Sequence, residues 1–281
     1  MNEHLPVDKT FKLFIGGTFP RSESGRTFAV RDAKGALLAN ASQASRKDLR
    51  EAVRAARGAQ ESWAGRTAYN RGQILYRAAE MMEARRPEFV SVLRQIGVTP
   101  KAASKQVDQA IDRWVWYAGW ADKTHHILGT VNPVAGPYFN FTFPEPTGVV
   151  GVMAPDEPAL LGLVSRLAAV IVSGNTAVAV IEGPASLAAI TLAEVLATSD
   201  LPGGVVNLLT GDKNELLPWM MGHLDINAVD LTGAPEDLDP EVLEAAAVNV
   251  KRTVWGDPVA ESLYAIADFL EMKTVWHPIG K

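Results

Sequence analysis

Glu182 has a carboxylate at a position in the sequence where it could bind a ligand. It directly follows Thr176–Ile181, an apolar run rich in β-branched residues that is typical of a buried strand. A carboxylate at the carboxyl end of such a strand can accept hydrogen bonds from ribose hydroxyls. The alternative is a solvated carboxylate at the start of a helix, which the helix dipole stabilises without any ligand.

Cysteine and histidine chemistry is sparse in this sequence. The 281 residues contain no cysteine, which excludes disulfides, thiolate metal ligands and a cysteine nucleophile among them. The five histidines are scattered, and the adjacent pair His125 and His126 cannot share one face of a helix. We therefore expect no metal site, and we expect this pair at the surface near a helix end.

The overall composition narrows the classes of partner. A net charge of -5 argues against a nucleic-acid partner, because binding phosphates requires a basic surface. The longest apolar segment, residues 159–172, is too short to span a membrane and is interrupted by Ser165-Arg166. The first ten residues lack the pattern of a signal peptide. We expect a cytoplasmic protein without membrane or nucleic-acid partners.

The carboxylate considered first is positioned by a predicted strand–helix–strand unit over residues 145–182. Apolar residues 149–154 predict a strand that stops at Pro155-Asp156, and residues 159–172 are apolar on almost every face, as in a buried helix. Ser173-Gly174-Asn175 then breaks the helix before the second strand. Because parallel strands need a crossover of this kind, the stretch predicts a βαβ unit.

Strands and helices continue to alternate after this unit. Helices are predicted over 184–196, 215–221 and 238–247, and strands over 205–209, 228–231 and 249–255. Before it, short strands are predicted over 11–15, 27–31 and 37–44, and helices over 45–64, 69–85, 87–96 and 102–123. The pattern predicts an α/β fold, a doubly wound parallel Rossmann-like sheet of about five strands with an N-terminal helical layer.

Two further segments are predicted to protrude from this sheet. Residues 131–143 predict a hairpin whose second strand exposes alternate aromatic faces. Residues 258–269 predict a last helix, and Glu271–His277 predict a strand with no local partner. An isolated hairpin is marginal in water, so we expect it to pack on the body of the protein or on another chain. An unpaired strand needs an edge, so we expect the last strand to pair with one elsewhere.

Several motifs in this order resemble the aldehyde dehydrogenase superfamily. They read FIGGTF, SGRTFAVRDAKG, DLREAVRAARGAQESW, YAGWADK, PEPTGVVGV, SGNTAVAVIE, LPGGVVNLLTG and FLEMKTVW. The resemblance implies a cofactor-binding domain over residues 11–255, including the 131–143 hairpin, and a C-terminal helix and oligomerisation strand over 258–281. A full member would carry its catalytic domain between Trp255 and Leu263. Here only a short linker lies there, so we expect that domain to be absent.

The residues that the resemblance assigns to catalysis are also missing. Members of the superfamily attack the aldehyde with a cysteine thiolate, which this chain lacks. Their general base lies in a Glu-Leu-Gly-Gly turn, where this chain continues as Lys251–Trp255. Their oxyanion-binding asparagine follows the first strand, where this chain has the turn Ala154–Pro158. Asp156 in that turn would repel an oxyanion, so we expect no unaided catalysis.

The cofactor that the resemblance implies is NAD(P), held at four positions of this chain. These are Pro155, Glu182, Thr232 and Gly233. The superfamily's ribose-binding lysine is replaced by Val180. Three carboxylates, from Glu236, Asp237 and Asp239, follow the Thr232-Gly233 turn and oppose a dianionic pyrophosphate. We therefore expect weak NAD(P) binding or none.

Three functional hypotheses follow from the resemblance. The first is a non-catalytic subunit, or pseudoenzyme, that assembles with itself or with a full-length aldehyde dehydrogenase. The second is a component of an NAD(P)-dependent aldehyde oxidoreductase whose catalytic cysteine and glutamate come from a partner chain. The third is a nucleotide sensor. The first is favoured because the assembly strands are kept while the catalytic residues are lost.

Overall fold

The computed structural model describes residues 9–32 and 34–280. Residues 1–8, part of the segment without a signal-peptide pattern, Ala33 in a predicted turn, and the terminal Lys281 lie outside this range. Among the described residues, no helix is both long and apolar enough to cross a membrane.

The N-terminal segment forms a small antiparallel sheet rather than three strands. Strands β1 (Thr27–Arg31) and β2 (Leu37–Ser42) pair with each other. The predicted strand over residues 11–15 is wrong, because its residues make only isolated bridges. Phe11 pairs with Ala41 whereas Phe14 pairs with Leu208, so this segment joins two sheets instead of extending one.

The predicted helical layer is confirmed as four long helices and one short one. These are α1 (Arg46–Ala64), α2 (Ala68–Ala84), α3 (Arg86–Gln95), α4 (Pro100–Trp120) and α5 (Thr124–Leu128). Ser45 caps α1: its hydroxyl accepts from the Asp48 amide, and the Asp48 carboxylate accepts from the Ser45 amide. This reciprocal capping satisfies amides that the first helical turn leaves unpaired.

A hairpin follows, as predicted for residues 131–143. Strand β3 (Thr130–Asn132) is short, and strand β4 (Tyr138–Pro146) is long. Phe139, Phe141 and Phe143 alternate along one face of β4, with ring centroids 5.4 and 6.1 Å apart between neighbours.

The centre of the molecule is the predicted five-stranded parallel sheet, which is confirmed. Its strands and helices are β5 (Val149–Met153), α6 (Ala159–Ile171), β6 (Thr176–Ile181), α7 (Ala185–Leu196), β7 (Val206–Thr210), α8 (Lys213–Met221), β8 (Ala228–Asp230), α9 (Pro240–Glu244) and β9 (Arg252–Val254). The order is β7-β6-β5-β8-β9. Strands β5 to β8 are buried on both faces, which explains their uninterrupted apolar sequences.

Alternate residues of the strands enter two different hydrophobic cores. Val150 and Val152 of β5 pack with α6, α7 and the N-terminal helices. Val149 and Met153 pack with α1 and α8 on the other face of the sheet. The sheet therefore has helices on both faces, which is the doubly wound arrangement.

The C-terminal part differs from the prediction in its helix. Only α10 (Leu263–Ala267) is helical, and residues 258–262 are not, so the helix predicted over 258–269 is too long. The last strand, β10 (Leu270–Pro278), pairs antiparallel with β4 over its whole length. The result is a second sheet in the order β10-β4-β3.

Candidate functional site

The carboxyl edge of the parallel sheet is where a ligand would be expected. The chain goes from β5 to β6 and β7 on one side, then returns to form β8 and β9 on the other side of β5. Open α/β sheets bind ligands outside the carboxyl ends of their strands at such a switch point. The four sequence-predicted residues all lie at this edge: Pro155 after β5, Glu182 after β6, and Thr232 and Gly233 after β8.

Pro155 and Gly233 are brought together by direct backbone contact. The Gly233 amide donates a 3.0 Å hydrogen bond to the Met153 carbonyl. A Cβ atom at residue 233 would collide with the Ala154 carbonyl oxygen, so the close approach requires glycine. The loop after β8 thus lies against the turn after β5, and backbone atoms occupy the space between them.

The Thr232 hydroxyl is already bonded within the protein. It donates to the Asp230 carboxylate at 2.5 Å, and it accepts a 3.0 Å hydrogen bond from the Gly256 amide. The Thr232 amide donates to the same carboxylate oxygen at 3.0 Å. A ligand at this position would have to displace at least one of these bonds.

The carboxylate that Thr232 contacts belongs to a buried ion pair between Arg166 and Asp230. Arg166 of α6 donates from Nε to the Asp230 carboxylate, and both side chains are almost completely inaccessible to solvent. The Arg166 guanidinium also lies over the ring of Phe269, 5.7 Å from its centroid. Its Nη2 has no hydrogen-bond partner among the described residues. Because a buried charge needs its partner, this pair fixes α6 against β8.

Residues 255–262, which link β9 to α10, close over the same edge. At one end, the Gly256 amide is bonded to Thr232, and a Cβ atom at residue 256 would contact the Arg166 guanidinium. At the other end, Arg113 of α4 donates to the carbonyls of Val259 and Ala260. Tyr117 donates to the Ala260 carbonyl at 3.2 Å, and burial raises the pKa of this phenol to about 12.

A second ion pair lies on the other side of β5. The Lys213 ammonium, at the start of α8, is 2.7 Å from the Asp156 carboxylate in the turn after β5. The Lys213 side chain is 2% exposed, whereas that of Asp156 is 66% exposed. The Lys213 amide also donates a long, 3.4 Å hydrogen bond to Glu182. The positive charge available at this edge is therefore already paired with a carboxylate.

Sequence reasoning missed Lys213 and the Arg166–Asp230 pair. One signal was present: Lys213 follows the N-cap Asp212 in the first turn of a helix, where the dipole disfavours a cation. A lysine at such a place needs a nearby carboxylate. The other signal was Arg166 within an otherwise apolar helix, since a buried arginine requires a partner.

An open cleft of about 810 Å³ lies beside this second pair. It runs between the α3–α4 connection and the ends of β5 and β6, and its wall includes the carboxylates of Asp156, Glu157 and Glu182. Val180, at the position expected for a lysine, is fully buried in the core and offers no polar group. A wall with this charge does not suit a pyrophosphate.

The carboxylates that follow Gly233 have a structural role in part. Asp239 accepts a 2.9 Å hydrogen bond from the Glu241 amide and caps α9, which is only five residues long. Across residues 9–32 and 34–280, no group of three or more histidine, cysteine, aspartate or glutamate side chains is arranged to hold a metal ion. The Asp239 carboxylate therefore has a capping role at this edge, and its charge does not favour a pyrophosphate.

Known proteins show the same fold and related sequences. The sequence model described as "Aldehyde dehydrogenase family" matches residues 19–256. The putative aldehyde dehydrogenase DhaS of Bacillus subtilis is 32% identical over 248 residues, covering 86% of this chain and 49% of DhaS. Human cytosolic 10-formyltetrahydrofolate dehydrogenase is 32% identical over 251 residues, covering 86% of this chain and 27% of that protein.

Solved structures agree with these relatives. An aldehyde dehydrogenase from Bacillus cereus in complex with NAD+ superposes with a TM-score of 0.79 and 28% identity. The superposition covers 87% of this chain and 50% of the Bacillus cereus chain. The chain thus spans about half the length of DhaS and of the Bacillus cereus enzyme, and about a quarter of the human one. With a family match over most of its length, the chain belongs to the aldehyde dehydrogenase family.

Proposed function

We propose that this chain is a non-catalytic aldehyde dehydrogenase-like subunit that assembles with itself or with a full-length aldehyde dehydrogenase. One observation carries the proposal: the carboxyl edge of the parallel sheet is occupied by the chain's own ion pairs and by residues 255–262. The polar side chains of Arg166, Asp230 and Thr232 are bonded to one another there, and so are those of Lys213 and Asp156.

The chemistry of aldehyde oxidation supports this proposal. The reaction begins when a nucleophile adds to the aldehyde carbon, and the negative oxygen that forms must be stabilised by hydrogen-bond donors. The chain has no cysteine to act as the nucleophile. In the turn after β5, the exposed Asp156 would repel the oxyanion, and the nearby Lys213 is neutralised by that same carboxylate.

The antiparallel sheet supports the assembly part of the proposal. Strand β10 is exposed along almost its whole length, and its Trp276 side chain is 59% exposed. The three phenylalanines of β4 form a continuous apolar row on one face of the same sheet. Exposed apolar surface of this kind marks a site of protein contact.

NAD(P) binding is proposed to be weak or absent in this chain. The Bacillus cereus structure is an NAD+ complex, so the cofactor is the natural probe. In this chain the Thr232 hydroxyl is engaged and the adjacent cleft is lined by carboxylates. Both features oppose the binding of a pyrophosphate.

Co-expression tests this proposal. The chain, carrying an affinity tag, is produced together with each full-length aldehyde dehydrogenase of its native host. The molar mass of the purified material is then measured by light scattering. We expect a mass above 30.2 kDa, either as a homo-oligomer or with a captured dehydrogenase. A monomer in every combination at micromolar concentration would overturn the proposal.

Two aspartate substitutions provide the matched comparison. Phe141→Asp places a charge in the apolar row of β4, and we expect about a tenfold loss of associated chain. Tyr76→Asp places the same charge on the exposed side of α2, where Tyr76 is 52% exposed, and assembly is expected to persist. Equal losses in the two variants would contradict the use of the β4 face.

The alternative of partner-supplied catalysis is favoured by one feature, the cleft at the ends of β5 and β6. In this case the cysteine and glutamate come from a full-length partner. NADH formation is measured for the partner alone and for the mixture, with an aldehyde that the partner oxidises. A mixture faster than the partner alone supports this alternative, and equal rates support the non-catalytic subunit.

A further inference from the structure

A cavity of about 630 Å³ lies between the start of α1 and the end of α8. Its volume is within the range of sites that bind small molecules. Among the described residues that line it, three carry a positive charge and none carries a carboxylate. The cavity shares no lining residue with the cleft at the ends of β5 and β6. It is therefore a separate site, with the opposite charge from that carboxylate-lined cleft.

The three cations lie along one side of α1. Arg46 and Arg50 are four residues apart, and Lys47 and Arg50 are three apart, so they lie on the same face of the helix. They occupy the first turns of α1, where the helix dipole adds a positive potential. The Asp48 carboxylate in the same turn is engaged in capping the helix. In a chain whose net charge is -5, this local positive charge favours an anion.

Two of these cations have only weak partners. The Lys47 ammonium is 3.2 Å from the Glu23 carboxylate, and the Arg50 guanidinium is 3.4 Å from that of Glu51. These side chains are at least a third exposed, and exposed pairs of this kind contribute little. Arg46 has no carboxylate within 4.0 Å and no side-chain hydrogen bond in residues 9–32 and 34–280. An anion in the cavity would therefore meet one unpaired guanidinium and two weakly paired cations.

Arg46 is nevertheless held in place by a tryptophan. The central carbon of its guanidinium lies 3.8 Å from the centroid of the Trp219 ring. A guanidinium over an aromatic ring is attracted to it and keeps its N–H groups, which lie in its own plane, available to a second partner. Arg46 is thus positioned by one contact while its hydrogen-bond donors are unused.

An apolar wall lies beside these charges. Leu49 lines the cavity while its side chain, only 1% exposed, belongs to the core between α1 and α8. Pro218 and Gly222 continue the wall and add no polar side chain. Together with the Trp219 indole they form a surface on which a planar ring can pack. Sites for small molecules commonly combine such a wall with a few well-placed polar groups.

His223 supplies a further hydrogen-bond donor without a charge. Its Nδ1 accepts a 3.2 Å hydrogen bond from the Asp225 amide, so the proton of the neutral ring is on Nε2. Burial lowers the pKa of this imidazole, which favours the neutral form at about pH 7. The ring lines the cavity and adds a donor to the three cations.

We propose that this cavity binds a small organic anion that carries an aromatic ring. The carboxylate or phosphate of the ligand accepts hydrogen bonds from Arg46 and Arg50, and its ring packs on Leu49 and Pro218. Arginine suits this role because its planar set of donors matches both kinds of anion. The inference goes beyond the proposed function, since neither assembly nor the loss of catalysis requires this site.

Four small probes separate the contribution of the charge from that of the ring. Benzoate and phenyl phosphate carry both, inorganic phosphate carries only the charge, and benzyl alcohol carries only the ring. Each is titrated at about pH 7 into the full chain labelled with ¹⁵N, and NMR records the indole N–H signals of its seven tryptophans. The Trp219 signal is identified as the one lost in Trp219→Phe.

We expect benzoate or phenyl phosphate to shift the Trp219 signal in a saturable way. The dissociation constant should be about tenfold lower than for inorganic phosphate or for benzyl alcohol, because each of these lacks one of the two contacts. The tighter of the two ring-bearing anions identifies whether the site prefers a carboxylate or a phosphate, and either preference supports the inference.

Arg46→Ala tests the contact on which the inference depends. It removes the unpaired guanidinium and should raise the dissociation constant about tenfold, because a charged hydrogen bond is lost. Arg54→Ala is the matched control, since Arg54 is an exposed residue of the same helix, is paired with Glu51 and is not among the lining residues. Binding to this control should match that of the wild type. Circular dichroism of both variants verifies that they are folded.

Three results would overturn the inference. The first is a Trp219 signal that does not shift with up to about 10 mM benzoate or phenyl phosphate. The second is an affinity for inorganic phosphate or benzyl alcohol equal to that for the ring-bearing anions. The third is an equal loss of affinity in Arg46→Ala and Arg54→Ala. A chain that assembles but gives any of these results leaves the proposed function standing, and a chain that binds the probe but never assembles overturns only that function.

Discussion

The carboxyl edge of the parallel sheet and the outer edge of β10 differ in how their polar groups are satisfied. At the first, carboxylates, an arginine, a lysine and a threonine hydroxyl bond to groups of the same chain. At the second, β10 has no neighbouring strand on its outer side among the described residues, and the side chains of Met272, Thr274 and Trp276 are exposed. The comparison teaches that, at an edge that suits a ligand by topology, a few internal bonds can engage several of the polar groups that a ligand would need.

The largest expected effect comes from breaking the pair behind the closed edge. Asp230→Ala leaves the buried Arg166 guanidinium without its carboxylate, and we expect a loss of about 3–5 kcal/mol in the free energy of unfolding. Urea denaturation measures this loss. Asp237→Ala, which removes an exposed carboxylate after the same strand, is the control and should change stability by less than about 0.5 kcal/mol.

Replacing both partners refines this prediction. The double variant Arg166→Met with Asp230→Leu removes both charges and keeps apolar volume, so it should recover much of the loss. If Asp230→Ala were no more destabilising than Asp237→Ala, the pair would not hold the edge closed, and the contrast between the two edges would fail.

A smaller effect is expected at the backbone contact between β5 and β8. Gly233→Ala forces a methyl group against the Ala154 carbonyl, and we expect a loss of about 1–3 kcal/mol. Gly119→Ala in α4 is the matched substitution, because its Cβ atom would meet nothing within 4 Å. That variant should gain about 0.5–1 kcal/mol. Equal stability of the two variants in thermal denaturation would show that the backbone at residue 233 is not packed closely against the Ala154 carbonyl.

The last expected effect is a pH dependence at the other end of β9, which is spread over the whole titration window and is smaller at any single pH step. Burial lowers the pKa of Lys251 from 10.5 to about 8, while its ammonium donates to the carbonyls of His223 and Ile226. Between about pH 8 and pH 10 the unfolded chain holds a proton that the folded chain lacks. Stability should therefore rise with pH in this window.

The variant Lys251→Met isolates that contribution. The difference in urea midpoint between wild type and variant should change across the window in the direction given, because the variant has no group to titrate at this position. A constant difference would mean that this lysine keeps its ordinary pKa in the folded chain.

Much of the fold was predictable from local sequence. The β5–α6–β6 unit was found within two residues of its observed bounds, because apolar runs end at Pro155-Asp156 and at Ser173-Gly174-Asn175. The terminal strand was also found from its alternation. Residues 11–15 were misassigned because their partners, Ala41 and Leu208, lie far away in the sequence.

The candidate site was less predictable, because it depends on the order of the strands. Glu182 could be placed at a strand end, but its proximity to the start of α8 required β7 to lie beside β6. Asp156 and Lys213 are 57 residues apart, and Arg166 and Asp230 are 64 apart. No local pattern specifies such pairs. The helix predicted over 258–269 begins only at Leu263 for a related reason: Arg113 of α4 donates to the carbonyls of Val259 and Ala260.

Native mass spectrometry of the purified chain at micromolar concentration with excess NAD+ tests the central claim most directly, since one spectrum reports both assembly and cofactor binding. A kept assembly surface and a closed carboxyl edge predict multiples of 30.2 kDa without added cofactor mass. A 30.2 kDa species carrying one NAD+ would contradict the cofactor half of that claim, and a chain that also stays monomeric when mixed with a full-length aldehyde dehydrogenase would contradict the assembly half.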